Sequence, residues 1–357
     1  MRQGQLISAV AAAHQKGEHS VKHLSYAAAG TLIGACLWTA AQAQTWPAAE
    51  MRQNLFASCF VSAQEGWAVG DLGRIFHTTN AGKSWEQQDA GTKRPFVAIS
   101  CPDGNNLWAA GQVGQIAHST DGGKHWQMQS SGTDRQLLGM AFANAQRGVA
   151  VGDFGTLLRT EDGGATWSKV ALPQNIKLPA DVAEVVEPGD IVLYGAGFAN
   201  PDHVWVAGEF GVILASGDGG QTWTPQTSSV ESTLFGIAFA DQQRGWAVGL
   251  DAILLHTTDG GISWQKQEIE TPQGFAPALY DVRVRGTYGW AVGNNGYLLS
   301  SKDAGDTWQK VKVPVQMGSH WFRSVDLLPD GRGFIVGAMG LVLAADRDSY
   351  TALKQQF

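Results

Sequence analysis

The stretch GWAVGLDAILLHTTDGGISWQ, Gly245–Gln265, decides the fold. It reads as a short apolar strand closed by glycine, a second apolar strand, and an Asp-Gly-Gly turn running into Ser-Trp. The turn returns as STDGGKHW (Ser119–Trp126), TEDGGATW (Thr160–Trp167), SGDGGQTW (Ser216–Trp223) and SKDAGDTW (Ser301–Trp308). TTNAGKSW (Thr78–Trp85) is a further copy with Asn in place of Asp. A fixed period of this kind marks a repeat architecture. Aligned on the glycine that ends the GWAVG-like strand, the units fall at Gly70, Gly111, Gly152, Gly208, Gly249, Gly293 and Gly337. The gaps of 41, 41, 56, 41, 44 and 44 residues match a four-stranded propeller blade.

Upstream of each glycine lies one more apolar strand, from LFASCFV at Leu55 to FRSVDLL at Phe322. Each unit therefore holds four short strands, and the expected fold is all-β: a seven-bladed β-propeller with four-stranded antiparallel blades. Along the first strand one phase is bulky (Phe56, Phe60; Leu138, Met140, Phe142; Phe235, Ile237, Phe239) and the other small (Ala57; Gly139, Ala141; Gly236, Ala238). Since successive strand residues point to opposite faces, each blade should offer a bulky face to one neighbour and a small face to the other.

The recurring turn has a mechanical explanation. Asn80, Asp121, Asp162, Asp218, Asp259 and Asp303 can each accept amide hydrogens of their own turn. Trp85, Trp126, Trp167, Trp223, Trp264 and Trp308 then cover the apolar edge of a blade. These carboxylates sit on separate blades, too dispersed to converge on a metal or a substrate. In the last unit AADRDSY (Ala344–Tyr350) lacks the glycine pair and the tryptophan, so the ring must close there without a full box, with support expected from an N-terminal strand around 46–55.

Composition agrees with this reading. Gly is 45 of 357 residues and Trp 14, while charged residues are 16%, a balance suited to many turns and aromatic strands. The net charge of −7 argues against nucleic acid as a partner. Lys22 and His23 precede an apolar run over 24–39, and Ala41-Gln42-Ala43 supplies a small-x-small cleavage pattern, so 1–43 reads as an N-terminal extension with a signal peptide and 44–357 as one propeller domain. Cleavage after Ala43, lipidation at Cys36 and retention as an anchor stay open, as does a start at Val21. Each places the domain outside the cytoplasm, in a periplasm or a thylakoid lumen-like compartment. Export permits a disulfide. Cys59 falls on the small phase of blade one and Cys101 on the bulky phase of blade two, so they confront each other if bulky faces pack on the preceding blade.

Strand order puts the loops between second and third strands on the same rim as the connections between blades, and the boxes on the opposite rim. The first rim should carry Arg94, Arg135, His320 and Arg323, and a Pro-punctuated surface loop over about 172–190 where the long gap lies. Blade six breaks the packing rule: LYDVRVR places Asp281, Arg283 and Arg285 on the phase that is Gly or Ala elsewhere. Charges on an innermost strand must pair or face water, so they form either an internal Asp–Arg pair or an anion site in the channel.

The S-x-D-x-G-x-T-W pattern resembles the Asp-box, or BNR repeat, of sialidases and related propellers. The fuller unit of GWAVG, G-x-x-G and box resembles the photosystem II stability and assembly factor family of plastids and cyanobacteria, from about Trp46 to the end. The resemblance implies a non-enzymatic exported propeller, without cofactor or metal, that binds a protein subunit of a membrane complex under assembly. An arginine-rich patch is implicated in that family, and Arg94, Arg135, Arg323, Arg283 and Arg285, with Asp281, are the candidates here. An envelope transporter is the other partner considered, and no small-molecule substrate or second copy is expected. The competing reading is a sialidase-like or other propeller glycoside hydrolase. It lacks the Arg-Ile-Pro segment, for which Lys93-Arg94-Pro95 is no substitute, although Tyr280, Tyr288 and Tyr297 fall near Arg283.

Overall fold

The computed structural model describes residues 45–47 and 51–353; the expected signal segment and cleavage site lie outside them. Seven antiparallel sheets are each built from one contiguous piece of chain, so the seven-bladed propeller is shown. Six sheets have four strands. The sheet of blade one has a fifth, because Thr45–Pro47 pairs with the outer strand Ser84–Asp89. The strand Thr45–Pro47 thus extends blade one, while the segment after it supports blade seven as expected: Met51 is buried among Phe334, Val336 and Val342, and the Asn54 side chain accepts the Met339 amide (3.1 Å). The described strands of blade seven are Phe322–Leu327, Arg332–Gly337, Val342–Asp346 and Ser349–Ala352.

The alternation of the first strand sets how blades meet. Phe142 of blade three stacks on Trp108 of blade two at 3.7 Å, and Phe239 of blade five on Trp205 of blade four at 3.5 Å. Bulky faces therefore pack on the preceding blade. Small faces meet the following one: a Cβ on Gly139 would run into the Tyr194 carbonyl, and one on Gly236 would approach the Tyr280 carbonyl to 2.9 Å. Cys59 and Cys101 obey this rule and are joined as a disulfide with Cα atoms 6.1 Å apart. Where blades six, seven and one meet, polar groups replace the small residues. Asp281 accepts hydrogen bonds from the Ser324 hydroxyl (3.2 Å) and the Val325 amide (3.1 Å). Asp326 accepts one from the Phe60 amide (2.6 Å), beside Phe60 stacked on Phe334 at 3.7 Å. That pair of contacts closes the ring.

Farther out, a glutamine on the fourth strand ties each regular blade to the next. Gln129 donates to the Gly163 carbonyl of the following box (2.9 Å) and accepts from its Trp167 indole (3.3 Å). Gln226 does the same to Gly260 and Trp264, and Gln267 to Gly305 and Trp308. The second-strand tryptophans Trp108, Trp205 and Trp246 donate to those same box carbonyls at 3.0–3.1 Å. Blade three has Val149 in place of that tryptophan. There Arg159 donates to the Gly219 carbonyl (2.9 Å) and Arg147 pairs with Asp202 (2.6 Å). The insertion follows at this irregular junction. It is more than a surface loop, because Leu172 and Ile176 are buried with Val149, Val151 and Leu193, and it carries a four-residue helix, Ala180–Ala183.

Each box is pinned as its composition suggests. Asp259 accepts the Ser263 amide (2.9 Å) and hydroxyl (2.6 Å) and the Thr257 hydroxyl (2.8 Å). The Thr257 hydroxyl oxygen in turn accepts the Gly261 amide (2.9 Å), where φ is +90°. In blade one Asn80 accepts the Ser84 amide at 3.0 Å and its own amide group reaches the Ser84 hydroxyl at 2.7 Å. The Ser263 hydroxyl and amide hold the Asp259 carboxyl at about 2, below the ordinary 3.8.

Two outcomes follow for stability. Gln129→Leu leaves the Trp167 indole without its acceptor and should lower unfolding free energy by about 1–3 kcal/mol in urea titrations; a change below about 0.5 kcal/mol would show the bridge to be incidental. A depressed carboxylate contributes stability that is present above its unfolded pKa and lost as pH falls through its folded one. Asp259→Asn, copying Asn80, should therefore flatten the dependence of the urea midpoint on pH between 3.8 and about 2. An unaltered slope in that window would contradict the assignment.

Candidate functional site

Each first strand starts on the rim that carries the connections between blades, here the connector rim, and runs toward the rim that carries the boxes. The loops between second and third strands share the connector rim, as the contact of Gly73 with the backbone of Thr92 and Arg94 shows. Several polar groups in these loops hold neighbouring backbone. Asp71 accepts the Asn54 amide (3.1 Å), Glu209 the Val192 amide (2.9 Å) and Asn294 the Ala278 amide (3.1 Å). At the apex of each loop one residue is held at positive φ. It is Leu72, Val113, Phe154, Phe210, Asn295 or Met339 in six of the blades, a conformation that costs an ordinary side chain about 1–2 kcal/mol.

The six charged candidates do not form one patch. Arg94 and Arg135 are exposed on the connector rim, at the junctions of blades one with two and two with three. Arg135 lies over the Phe154 ring at 4.1 Å. Arg323 sits at the inner end of that rim, by the axis. Arg283 donates to Asp281 (2.8 Å) and to the Val282 carbonyl (2.9 Å), so the internal pair is the arrangement found. Asp281 also binds blade seven, as described above, which makes it a junction residue. Arg285 is exposed and ends the first strand of blade six at the box rim.

The feature that converges is the channel mouth. The second residue of each first strand lines it, giving Phe56, Val97, Leu138, Tyr194, Phe235, Tyr280 and Arg323 around a cavity of about 80 Å³. Below it a cavity of about 420 Å³ opens toward the box rim, sharing Ser58, Ile99, Met140, Ile237 and Arg283 in its walls. Tyr194 meets Phe235 edge-on with ring centres 5.0 Å apart, Phe235 lies 5.6 Å from Tyr280, and Phe56 stacks on Trp321 at 5.8 Å. The Arg323 guanidinium lies over the Tyr280 ring at 5.0 Å, and no hydrogen bond or ion pair to it is formed among the described residues. Burial draws its pKa below the usual arginine value, against the pull of the Asp281 carboxylate. Burial also raises the Tyr194 phenol, with Glu209 adding to the effect. The mouth is thus an apolar, aromatic collar with one half-buried cation, whose planar N–H fork suits a carboxylate.

Sequence reasoning found Arg323 and missed its setting. The signal was available: aligning the second position of every first strand yields six uncharged residues, mostly large, and one arginine. The tyrosines set aside for a glycosidase are separated. Tyr280 is in the mouth and Tyr288 opens the second strand of blade six, while Tyr297 donates to the Glu270 carbonyl and is pushed up to about 12 by burial. Among the described residues no cluster of His, Cys, Asp and Glu could hold a metal ion.

Comparison with known proteins agrees with the repeat. The family model described as photosynthesis system II assembly factor YCF48 matches residues 38–131, 124–225 and 223–320. No curated protein sequence matches the chain. Among solved structures, a YCF48 bound to a D1 peptide superposes with a TM-score of 0.65 at 20% identity, covering 86% of this chain and 95% of that one. YCF48 from Cyanidioschyzon merolae gives 0.64 at 21%, covering 83% and 96%. A GH74 xyloglucanase from Xanthomonas campestris gives 0.66 at 14%, covering 86% of this chain and 54% of that one. At these identities the structural likenesses establish the fold alone, and the xyloglucanase shows that enzymes share it. The family match spans most of the chain, which therefore belongs to the YCF48 photosystem II assembly factor family.

Proposed function

We propose that this protein is an exported, non-enzymatic propeller that binds a segment of a protein partner at the channel mouth and so assists assembly or stability of a membrane or envelope complex. The observation that carries this reading is Arg323: a half-buried guanidinium that feels Asp281 at a distance but makes no hydrogen bond or ion pair among the described residues, ringed by Phe56, Tyr194, Phe235, Tyr280 and Trp321. An unpaired cation in such a place destabilises the free protein and gains most when a ligand carboxylate reaches it. The aromatic collar would cover apolar side chains beside that carboxylate. The YCF48 seen with a D1 peptide supports a peptide as the kind of ligand. Arg94 and Arg135 lie farther out on the same rim, where they would steer an acidic partner more than anchor it. A ring tied at each junction pre-forms the mouth and lowers the ordering cost of binding.

Crosslinking in the intact envelope, followed by purification of the propeller, names the partner. Charge reversal of Arg94, Arg135 and Arg323 to Glu together should abolish its recovery while the fold persists; equal recovery would overturn the assignment. Arg323→Met separates binding from folding. It should match or exceed the wild type in thermal midpoint, since it removes an uncompensated charge, yet lose partner capture. A midpoint lowered by several degrees would mean that Arg323 serves the fold.

A further inference from the structure

The loop apices on the connector rim form a second, wider ring. Leu72, Val113, Phe154, Phe210 and Met339 are held at φ of 60°, 55°, 51°, 56° and 53°, whereas blade six has Asn295, a residue type suited to this backbone. Leu72 is 57% exposed, and Val113, Phe154 and Met339 are each 51% exposed. Large apolar side chains at these tips bring the fold both strain and exposed apolar surface. Gly or Asn would bring neither, and features of this kind gather at binding surfaces.

Their placement narrows the occupant. Equivalent positions on successive blades surround the mouth. Val113 and Phe154 border one open cleft of about 980 Å³, but Leu72 lies outside it, so a broad, flat apolar phase is what meets all three tips together. Charge narrows it further. The tips of three adjacent blades, Leu72, Val113 and Phe154, have exposed Lys93, Arg94 and Arg135 among them on a chain whose net charge is −7. The neighbouring carboxylates include Asp71, bonded to the Asn54 amide, Asp89, which accepts the Gly91 amide (2.8 Å), and half-buried Asp153, which feels Arg135. Exposed Asp134 lies 4.0 Å from the Arg135 Nε, and exposed Asp190 shares a cleft with Arg135. Arg135 stacked on Phe154 has its charge above an apolar ring, the arrangement of a side chain reaching from an apolar boundary to phosphates.

We infer that the connector rim at blades one to three docks on an anionic phospholipid bilayer. Leu72, Val113 and Phe154 enter the boundary between headgroups and acyl chains, and Lys93, Arg94 and Arg135 meet the phosphates. Docked this way, the mouth faces the membrane, where a segment of an integral subunit would emerge. The inference shares Arg94 and Arg135 with the partner reading but rests on the apolar tips, which that reading does not use, and it is tested without the partner.

Residues 44–357 carry every described strand of the ring, so this span is tested without the N-terminal apolar run once its circular dichroism and cooperative melting show it folded. It should float in a density gradient with vesicles of phosphatidylglycerol and phosphatidylcholine. It should float less with phosphatidylcholine alone, and less as salt rises. Combined Leu72→Asn, Val113→Asn and Phe154→Asn should cut partitioning about tenfold or more. Asn accepts positive φ, so an unchanged circular dichroism spectrum and thermal midpoint would confirm that the variant is folded. Wild-type protein left at the bottom of the gradient, or a triple variant that floats as the wild type does, would overturn the proposal. A triple variant that loses partner capture while the wild type fails to float would make the rim a protein contact instead. Partner capture in vesicle-free solution, lost with Arg323→Met and kept with the Asn variant, distinguishes failure at the mouth from failure at the tips.

Discussion

Seven first strands must come close around one axis, and everything else in the molecule accommodates that approach. A bulky side chain can stand on only one side of each strand, so the other side must be small or must bond to what it meets. Gly139 and Gly236 take the first course, letting the next strand lie against bare backbone. Asp281 and Asp326 take the second, exchanging close packing for charge-assisted hydrogen bonds. Cys59 takes a third and is covalently joined to its neighbour. A charge on an inner strand is therefore first a question about the adjacent blade and only then about the channel.

The glutamine bridges apply the same logic farther from the axis, where the blades splay apart. One side-chain amide serves two groups of the next box, so Trp126, Trp167, Trp264 and Trp308 are held across the junction, whereas Trp85 and Trp223 donate to a carbonyl of their own box. At the junction of blades three and four the device is absent. Arginines and the buried part of the insertion stand in for it. An irregular stretch of sequence has there become part of the core, because the missing tryptophan left apolar surface to cover.

Much of the fold was legible because its determinants are local. Strand, glycine and box recur within each unit, and the period alone gives blade number and strand order. The side on which small residues face could be stated only as a condition, since periodicity does not say which neighbour lies on which side. The cysteines show this: their phases were readable from sequence, but their meeting depended on the packing direction. The candidate site was less legible. Arg94, Arg135 and Arg323 could be placed on one rim by topology, yet only the three-dimensional ring shows that Arg323 lies among aromatics contributed by four other blades. Asp281 was visible as an anomaly while its partner Ser324, 43 residues away, was not. Long-range pairing of this kind leaves no mark in local spacing.

Each sheet is one continuous stretch of chain, and among the described residues no strand from one end is woven into the blade of the other. Almost all contacts between blades thus join units adjacent in sequence, as in a linear array. One junction differs: the bond from Phe60 to Asp326 spans 266 positions. The entropy of closing so long a loop is met once, at a single seam, and grows only slowly with its length. Blades can form and dock in order as the chain emerges, and the open array becomes a ring when an aromatic stack and a half-buried carboxylate bring its two ends together.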